Sequence, residues 1–235
     1  MRQALAFLTP FPGARRPTPS ALYWFPVVGA LLGLVLGALW WCAARIFPIS
    51  VAALLVVLAD LGLTGLLHMD GLADSADGLL PHLERSRRLA VMAEPDVGAF
   101  GTVAVAAVLL ARWVALDAIE PSIWLLTAMW CASRTAMAAV IGRVAYARGD
   151  SGLATAFEGS ALALVVVVPV LLATAALASA WSVPAGPVAV GSTLIGFAAV
   201  VSLGQRRLGG YTGDVLGAAG VVGETVGLVV ASAKW

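Results

Sequence analysis

His68-Met-Asp-Gly-Leu-Ala-Asp-Ser-Ala-Asp-Gly78 is the stretch on which the reading of this chain turns. Asp70, Asp74 and Asp77 stand at i, i+4 and i+7, so on a helix they project from one face within about two turns. Three carboxylates on one face repel one another, and a cation is the natural compensation. Hard oxygen ligands suit Mg²⁺, with Mn²⁺ as the alternative, and Mg²⁺ held by few carboxylates completes its shell with waters and substrate phosphates. The plainer alternative is an acidic helix start and solvated loop that caps and solubilises a membrane segment.

The surroundings favour a membrane protein. Of 235 residues, 61% are hydrophobic and only 11% charged, against about 25% charged in a typical soluble domain, and the mean hydropathy is +0.97. The apolar runs have helix length, not barrel-strand length. A formal charge of +1, with no basic stripe, gives no reason to expect nucleic acid. Cys42 and Cys131 sit apart in apolar runs and read as small buried hydrophobes.

Seven apolar spans are expected, near residues 22–43, 51–67, 98–116, 122–141, 160–181, 185–203 and 214–232. They form one integral membrane domain over residues 1–235, and residues 1–20 are an interfacial or cytoplasmic lead-in broken by Pro10 and Pro12. The expected fold class is therefore all-α, a polytopic helix bundle. Ten basic residues (Arg2, Arg15, Arg16, Arg85, Arg87, Arg88, Arg143, Arg148, Arg206 and Arg207) fall on one side and only Arg45 and Lys234 on the other. The positive-inside rule then puts the N-terminus in the cytoplasm. Trp40, Trp41, Trp113, Trp124, Trp181 and Trp235 gather on the outer side, as interfacial indoles do.

That orientation brings three polar, Gly-rich stretches to the cytoplasmic face: residues 68–101, 142–159 and 204–214. The first contains Arg85, Arg87 and Arg88, which suit phosphate recognition or contact with anionic lipid equally well. Gly98 and Gly101 open the third span, where backbone N–H groups can hold an anion or small residues can let helices approach. Arg148 lies in a Gly-rich segment suited to clamping phosphate, and Asp214 is a helix cap or a further metal ligand. His68 and His82 lack the spacing of a zinc site. Of the ionisable residues inside spans, Asp60, Arg134 and Glu224 lie at similar depth and are expected to pair. Arg112 is close enough to the outer interface to snorkel, and no role is assigned to it.

In order along the chain, His68-x-Asp70-Gly-x-x-Asp74-x-x-Asp77-Gly78, Gly98-x-x-Gly101, Tyr146-Ala-Arg148 with Gly152 and Phe157, and Gly209-Gly-x-Thr212-Gly-Asp214 with Glu224 resemble the cobalamin synthases, or adenosylcobinamide-GDP ribazoletransferases. The resemblance covers nearly the whole chain, including Phe7-Leu8-Thr9. It departs at Ala93-Glu94, where a basic residue and Asp are usual. It implies an Mg²⁺-dependent phosphotransferase of the bacterial cytoplasmic membrane, its active site facing the cytoplasm. Adenosylcobinamide-GDP would be joined to α-ribazole, or to its 5′-phosphate, with release of GMP. Asp70, Asp74, Asp77, Glu94 and Asp214 are then the expected metal ligands, with Asp74 or Asp77 as proton acceptor. His68, Gly98, Gly101, Arg134, Arg148, Thr212 and Glu224 are the expected substrate-binding residues. Membrane lipid is an expected partner, and a homo-oligomer or a complex with other cobalamin-assembly enzymes fits the family. Two other classes compete. Phosphotransferases that use CDP-linked alcohols also carry spaced aspartates, but they show Ala-Arg after Asp-Gly and a fourth Asp in the helix, both missing here. A divalent-cation transporter would place its acidic residues deep in the spans, whereas most of these carboxylates sit at one face.

Overall fold

The computed structural model describes residues 1–11, 13, 18–149, 157 and 161–235. Arg15, Arg16, Gly152 and the start of the expected fifth span at residue 160 lie outside the described residues. Among the described residues ten α-helices follow in order: α1 (Arg2–Leu8), α2 (Phe25–Ala43, preceded by a 3₁₀ turn over Pro19–Trp24), α3 (Ile49–Thr64), α4 (Leu67–Leu79), α5 (Arg85–Val91), α6 (Ala99–Asp117), α7 (Ile123–Val140), α8 (Leu164–Ser179), α9 (Ala185–Leu208) and α10 (Gly213–Ala231). No strand occurs among the described residues, only isolated bridges.

Five helical segments among the described residues are long and apolar enough to cross a membrane: residues 19–43, α6, α7, α9 and α10. Helix α3 and helix α4 count as a sixth only if taken as one broken span, because they meet at 89°. The corner is made by Gly65 and Leu66, both left-handed, at φ 59° and φ 61°. Glycine adopts that conformation freely, whereas Leu66 does so at a cost of about 1–3 kcal/mol. Helix α4 has 13 residues and turns away from α3, so it is not itself a span. Helix α8 is a shorter apolar helix of 16 residues.

Without an aqueous driving force between helices, small residues decide how closely they pack. Gly29, Gly33 and Gly37 form a stripe along α2, and a Cβ on any of them would collide with α7 backbone at Trp130, Leu126 or Ile123. The stripe fixes the α2–α7 pair, while α9 and α10 form the other close pair. At the end of the bundle away from α4, the Trp113 indole donates to the Ser50 carbonyl at 2.9 Å. Trp40, in the last turn of α2, is fully buried against its neighbours.

Candidate active site

Helix α4 carries Asp70, Asp74 and Asp77 on the face that its periodicity demands, and it lies against the first turn of α10. Gly71 permits the contact: a Cβ there would stand 2.8 Å from the Asp214 carbonyl oxygen and 3.0 Å from its Cα. Asp214 is placed by the cap of α10. The Thr212 hydroxyl accepts from the Val215 N–H at 3.2 Å and lies 3.2 Å from an Asp214 carboxylate oxygen. Arg148, from the segment after α7, donates to the same carboxylate at 2.9 Å and to the Met92 carbonyl at 3.0 Å. All three polar stretches therefore converge on one place.

Charge accumulates there. Burial pushes the Asp74 carboxyl up to about 6, and repulsion from Asp214, Asp70 and Asp77 adds to this while Arg148 opposes it. Asp70, Asp74 and Asp214 are thus near one another with Arg148 as their described cation. Among the described residues no three His, Cys, Asp or Glu side chains form a ready metal cage. The donor set instead fits a hard cation that takes part of its shell from water and phosphate, as Mg²⁺ does.

Other candidate residues are placed differently. Asp77 accepts from the Gly98 N–H at 2.7 Å and from the Gly101 N–H at 3.0 Å. Its carboxylate is the anion that those helix-opening amides hold, and it caps α6 from 21 residues away. Glu94 pairs with Arg87 at 2.8 Å on an exposed surface, and no described contact links it to the other carboxylates. Arg88 is buried, donating to the Gly78 and Leu79 carbonyls at 2.7 and 3.0 Å; it closes the C-terminus of α4. Arg85 ties two segments together, donating to the Leu208 carbonyl at 2.6 Å and the Ala147 carbonyl at 3.2 Å.

Beneath α4 lies a buried charge network. Glu224 accepts from both Arg134 and Arg112, the latter at 2.7 Å. Asp60 is held by Arg112 at 2.5 Å and by the Trp130 indole N–H at 3.2 Å. The expectation for Arg112 is thereby corrected. It is 2% exposed and does not snorkel, because two carboxylates and the Thr225 hydroxyl at 2.9 Å hold it inside. Arg134 pairs with Glu224 as expected, but Asp60 takes Arg112. Neither Arg134 nor Glu224 lines the cavity that opens beside the carboxylates.

That cavity has a volume of about 480 Å³ and is bounded by Phe7, His68, Asp70, Met137, Arg148 and Asp214 among others. The part contributed by the N-terminal segment was not legible as site from sequence, although Phe7-Leu8-Thr9 was part of the resemblance. Its signal is an aromatic set from three distant segments. Phe7 stacks at 5.5 Å from Phe25 and at 5.5 Å, edge to face, from Phe157.

The chain matches the family model described as cobalamin-5-phosphate synthase over residues 1–232. A protein of Chlorobaculum tepidum named adenosylcobinamide-GDP ribazoletransferase is 35% identical, covering 92% of this chain and 87% of its own length. Proteins of the same name from Bradyrhizobium diazoefficiens and Escherichia coli are 36% and 34% identical. They cover 99% and 96% of this chain and 93% and 96% of their own. No solved structure gives a significant match. With a family model matched almost from end to end, this chain belongs to the cobalamin-5-phosphate synthase family.

Proposed function

We propose that this protein joins adenosylcobinamide-GDP to α-ribazole, or to its 5′-phosphate, in the bacterial cytoplasmic membrane with the site facing the cytoplasm. One observation supports the reading: Asp70, Asp214 and Arg148 line one nucleoside-sized cavity, with Asp74 near enough for its carboxyl to be raised by both aspartates. The names of the relatives supply the two substrates.

The reaction is phosphotransfer. A ribose hydroxyl oxygen of α-ribazole attacks the phosphorus bonded to cobinamide, a new P–O bond forms, and the bond to the GMP oxygen breaks. The hydroxyl proton leaves to a carboxylate of this cluster, with Asp74 as the candidate acceptor. Arg148 steadies a phosphate oxygen while keeping its contact with Asp214. Asp70, Asp74 and Asp214 would hold Mg²⁺. When bound, it supplies neutralisation of the charge that develops on the leaving group. Asp77 acts on the site by fixing the angle between α4 and α6.

The decisive experiment uses protein purified into liposomes with radiolabelled adenosylcobinamide-GDP and α-ribazole. Release of GMP that stops with EDTA and returns with Mg²⁺ is the expected result. No GMP under saturating substrate and Mg²⁺ rules the reading out.

A further inference from the structure

The reaction proposed above has two organic substrates of very different size, and the cavity has room for one of them. Its volume of about 480 Å³ falls within the roughly 300–1,000 Å³ of sites that enclose a drug-sized ligand. A ribonucleoside with a bicyclic base belongs to that class. A corrin macrocycle with its amide arms and a GDP ester is far larger, and meets the site through its pyrophosphate.

The lining has two chemistries. Leu8, Pro10, Leu67, Met137 and Leu216 contribute an apolar wall, to which Phe7 adds a ring. That ring is braced by Phe25 and Phe157, so it offers a fixed surface to a planar base. Asp70, Arg148 and Asp214 contribute the charged wall.

His68 carries the second, independent observation. It lines the cavity, is 6% exposed, and its Nδ1 has no hydrogen-bond partner among the described residues. Buried polar atoms in folded proteins are almost always satisfied. An orphaned ring nitrogen on a cavity wall therefore points to a polar ligand group, such as a ribose hydroxyl. Neither a lipid acyl chain nor a purely apolar molecule supplies one.

We propose that this cavity is the site of the acceptor nucleoside. The base of α-ribazole packs against Phe7, Leu67 and Met137, its ribose engages His68, and adenosylcobinamide-GDP reaches the carboxylates from outside the cavity. The assignment rests on the reaction proposed above, and it states which substrate is enclosed and by which residues.

The test uses the full chain in nanodiscs. An azido-substituted α-ribazole, photolysed on the unaltered protein, should label residues 6–10 or the peptide containing Met137, and unlabelled α-ribazole should compete. Met137→Trp, which fills the cavity, should raise the KM for α-ribazole roughly tenfold or more while changing that for adenosylcobinamide-GDP less than about twofold. His68→Phe should weaken α-ribazole binding more than His68→Asn, which keeps a polar atom near the position of Nδ1. Labelling of other peptides overturns the assignment, as does a KM effect confined to the corrinoid or a co-purified lipid that α-ribazole does not displace. In those cases GMP release continues and the reaction stands. Absence of both α-ribazole binding and GMP release overturns the reaction and the assignment together. Photolabelling needs no variant, so a misfolded Met137→Trp does not protect the proposal.

Discussion

The guanidinium of Arg112 lies 2.7 Å from the carboxylate of Glu224, and through it α6 is joined to α10 inside the apolar bundle. The same side chain also neutralises Asp60 on α3. Arg112 is thus shared between two buried anions, whereas Glu224 is the one carboxylate that Arg134 pairs with among the described residues. Removing one partner of a buried pair costs about 3–5 kcal/mol, because the survivor is left as an uncompensated charge. Arg112→Ala should cost that much, and Arg134→Ala less, since Glu224 keeps Arg112. Thermal unfolding midpoints in detergent give the comparison, and a larger loss for Arg134→Ala would contradict this ordering. Adding Asp60→Asn to Arg112→Ala should recover part of the loss, the non-additivity expected of contacting residues.

Asp77 and Asp74 belong to one sequence motif but should fail in different ways. Asp77→Ala uncaps α6 by freeing the Gly98 and Gly101 amides. It should lower stability by about 0.5–2 kcal/mol, the range for losing a helix cap, and activity should fall with it. Asp74→Asn removes no such contact. Its unfolding midpoint should hold or rise, while GMP release should drop by more than the ~10–100-fold that loss of an outer-sphere partner of a metal costs. An Asp74→Asn protein that unfolds early but turns over normally would invert this assignment.

The carboxylate cluster predicts how pH and Mg²⁺ interact. Asp74 titrates at about 6 in the folded protein against an ordinary 3.8. The folded state therefore holds a proton that the unfolded chain releases between those values. By linkage, this group's stabilising contribution is full below the ordinary value and is lost as pH rises through about 6. Burial, Asp214, Asp70 and Asp77 push in that direction, and Arg148 opposes them. A divalent cation favours the ionised carboxylates instead. The rise in unfolding temperature on adding Mg²⁺ should therefore be larger at about pH 7.5 than at about pH 5, and Asp74→Asn should flatten the difference. Equal Mg²⁺ effects at both pH values would speak against these carboxylates as the cation site.

Gly71 should tolerate nothing larger. The Cβ of an alanine would press on the α10 backbone at Asp214, and overpacking of this kind costs about 1–3 kcal/mol. Since the displaced element carries Asp214, Gly71→Ala should lose the stabilisation by Mg²⁺ as well as activity. Unchanged GMP release from a Gly71→Ala protein would show that the close approach of α4 to α10 is dispensable.

Much of this arrangement was legible in the chain. The period of Asp70, Asp74 and Asp77 gave the α4 helix and its acidic face, because side-chain direction on a helix follows from spacing alone. Convergence of the three polar stretches followed from counting spans and charges. The corner at Gly65–Leu66 was not legible. Apolar residues run straight through it, and hydropathy does not register a backbone turn. Arg112 was misplaced because depth along a helix was counted without its facing. Two buried carboxylates, Asp60 and Glu224, set against one arginine, Arg134, already required a second cation. The capping of α6 by Asp77 joins residues 21 positions apart in sequence, and only packing brings them together.

The segment after α7 and the segment before α10 are laced by backbone as well as by Arg85. The Ala147 amide donates to the Tyr211 carbonyl at 2.8 Å, the Tyr211 amide donates to the Ala145 carbonyl at 2.9 Å, and the two tyrosine rings meet edge to face at 5.3 Å. Amides paired in this way should exchange with solvent deuterium more slowly than those of an unpaired connection. Arg148 and Asp214 ride on the two sides of that seam. The spacing between the clamp and the carboxylate it holds is therefore fixed by main chain, one residue beyond Ala147 on one side and three beyond Tyr211 on the other, and does not depend on their own ion pair.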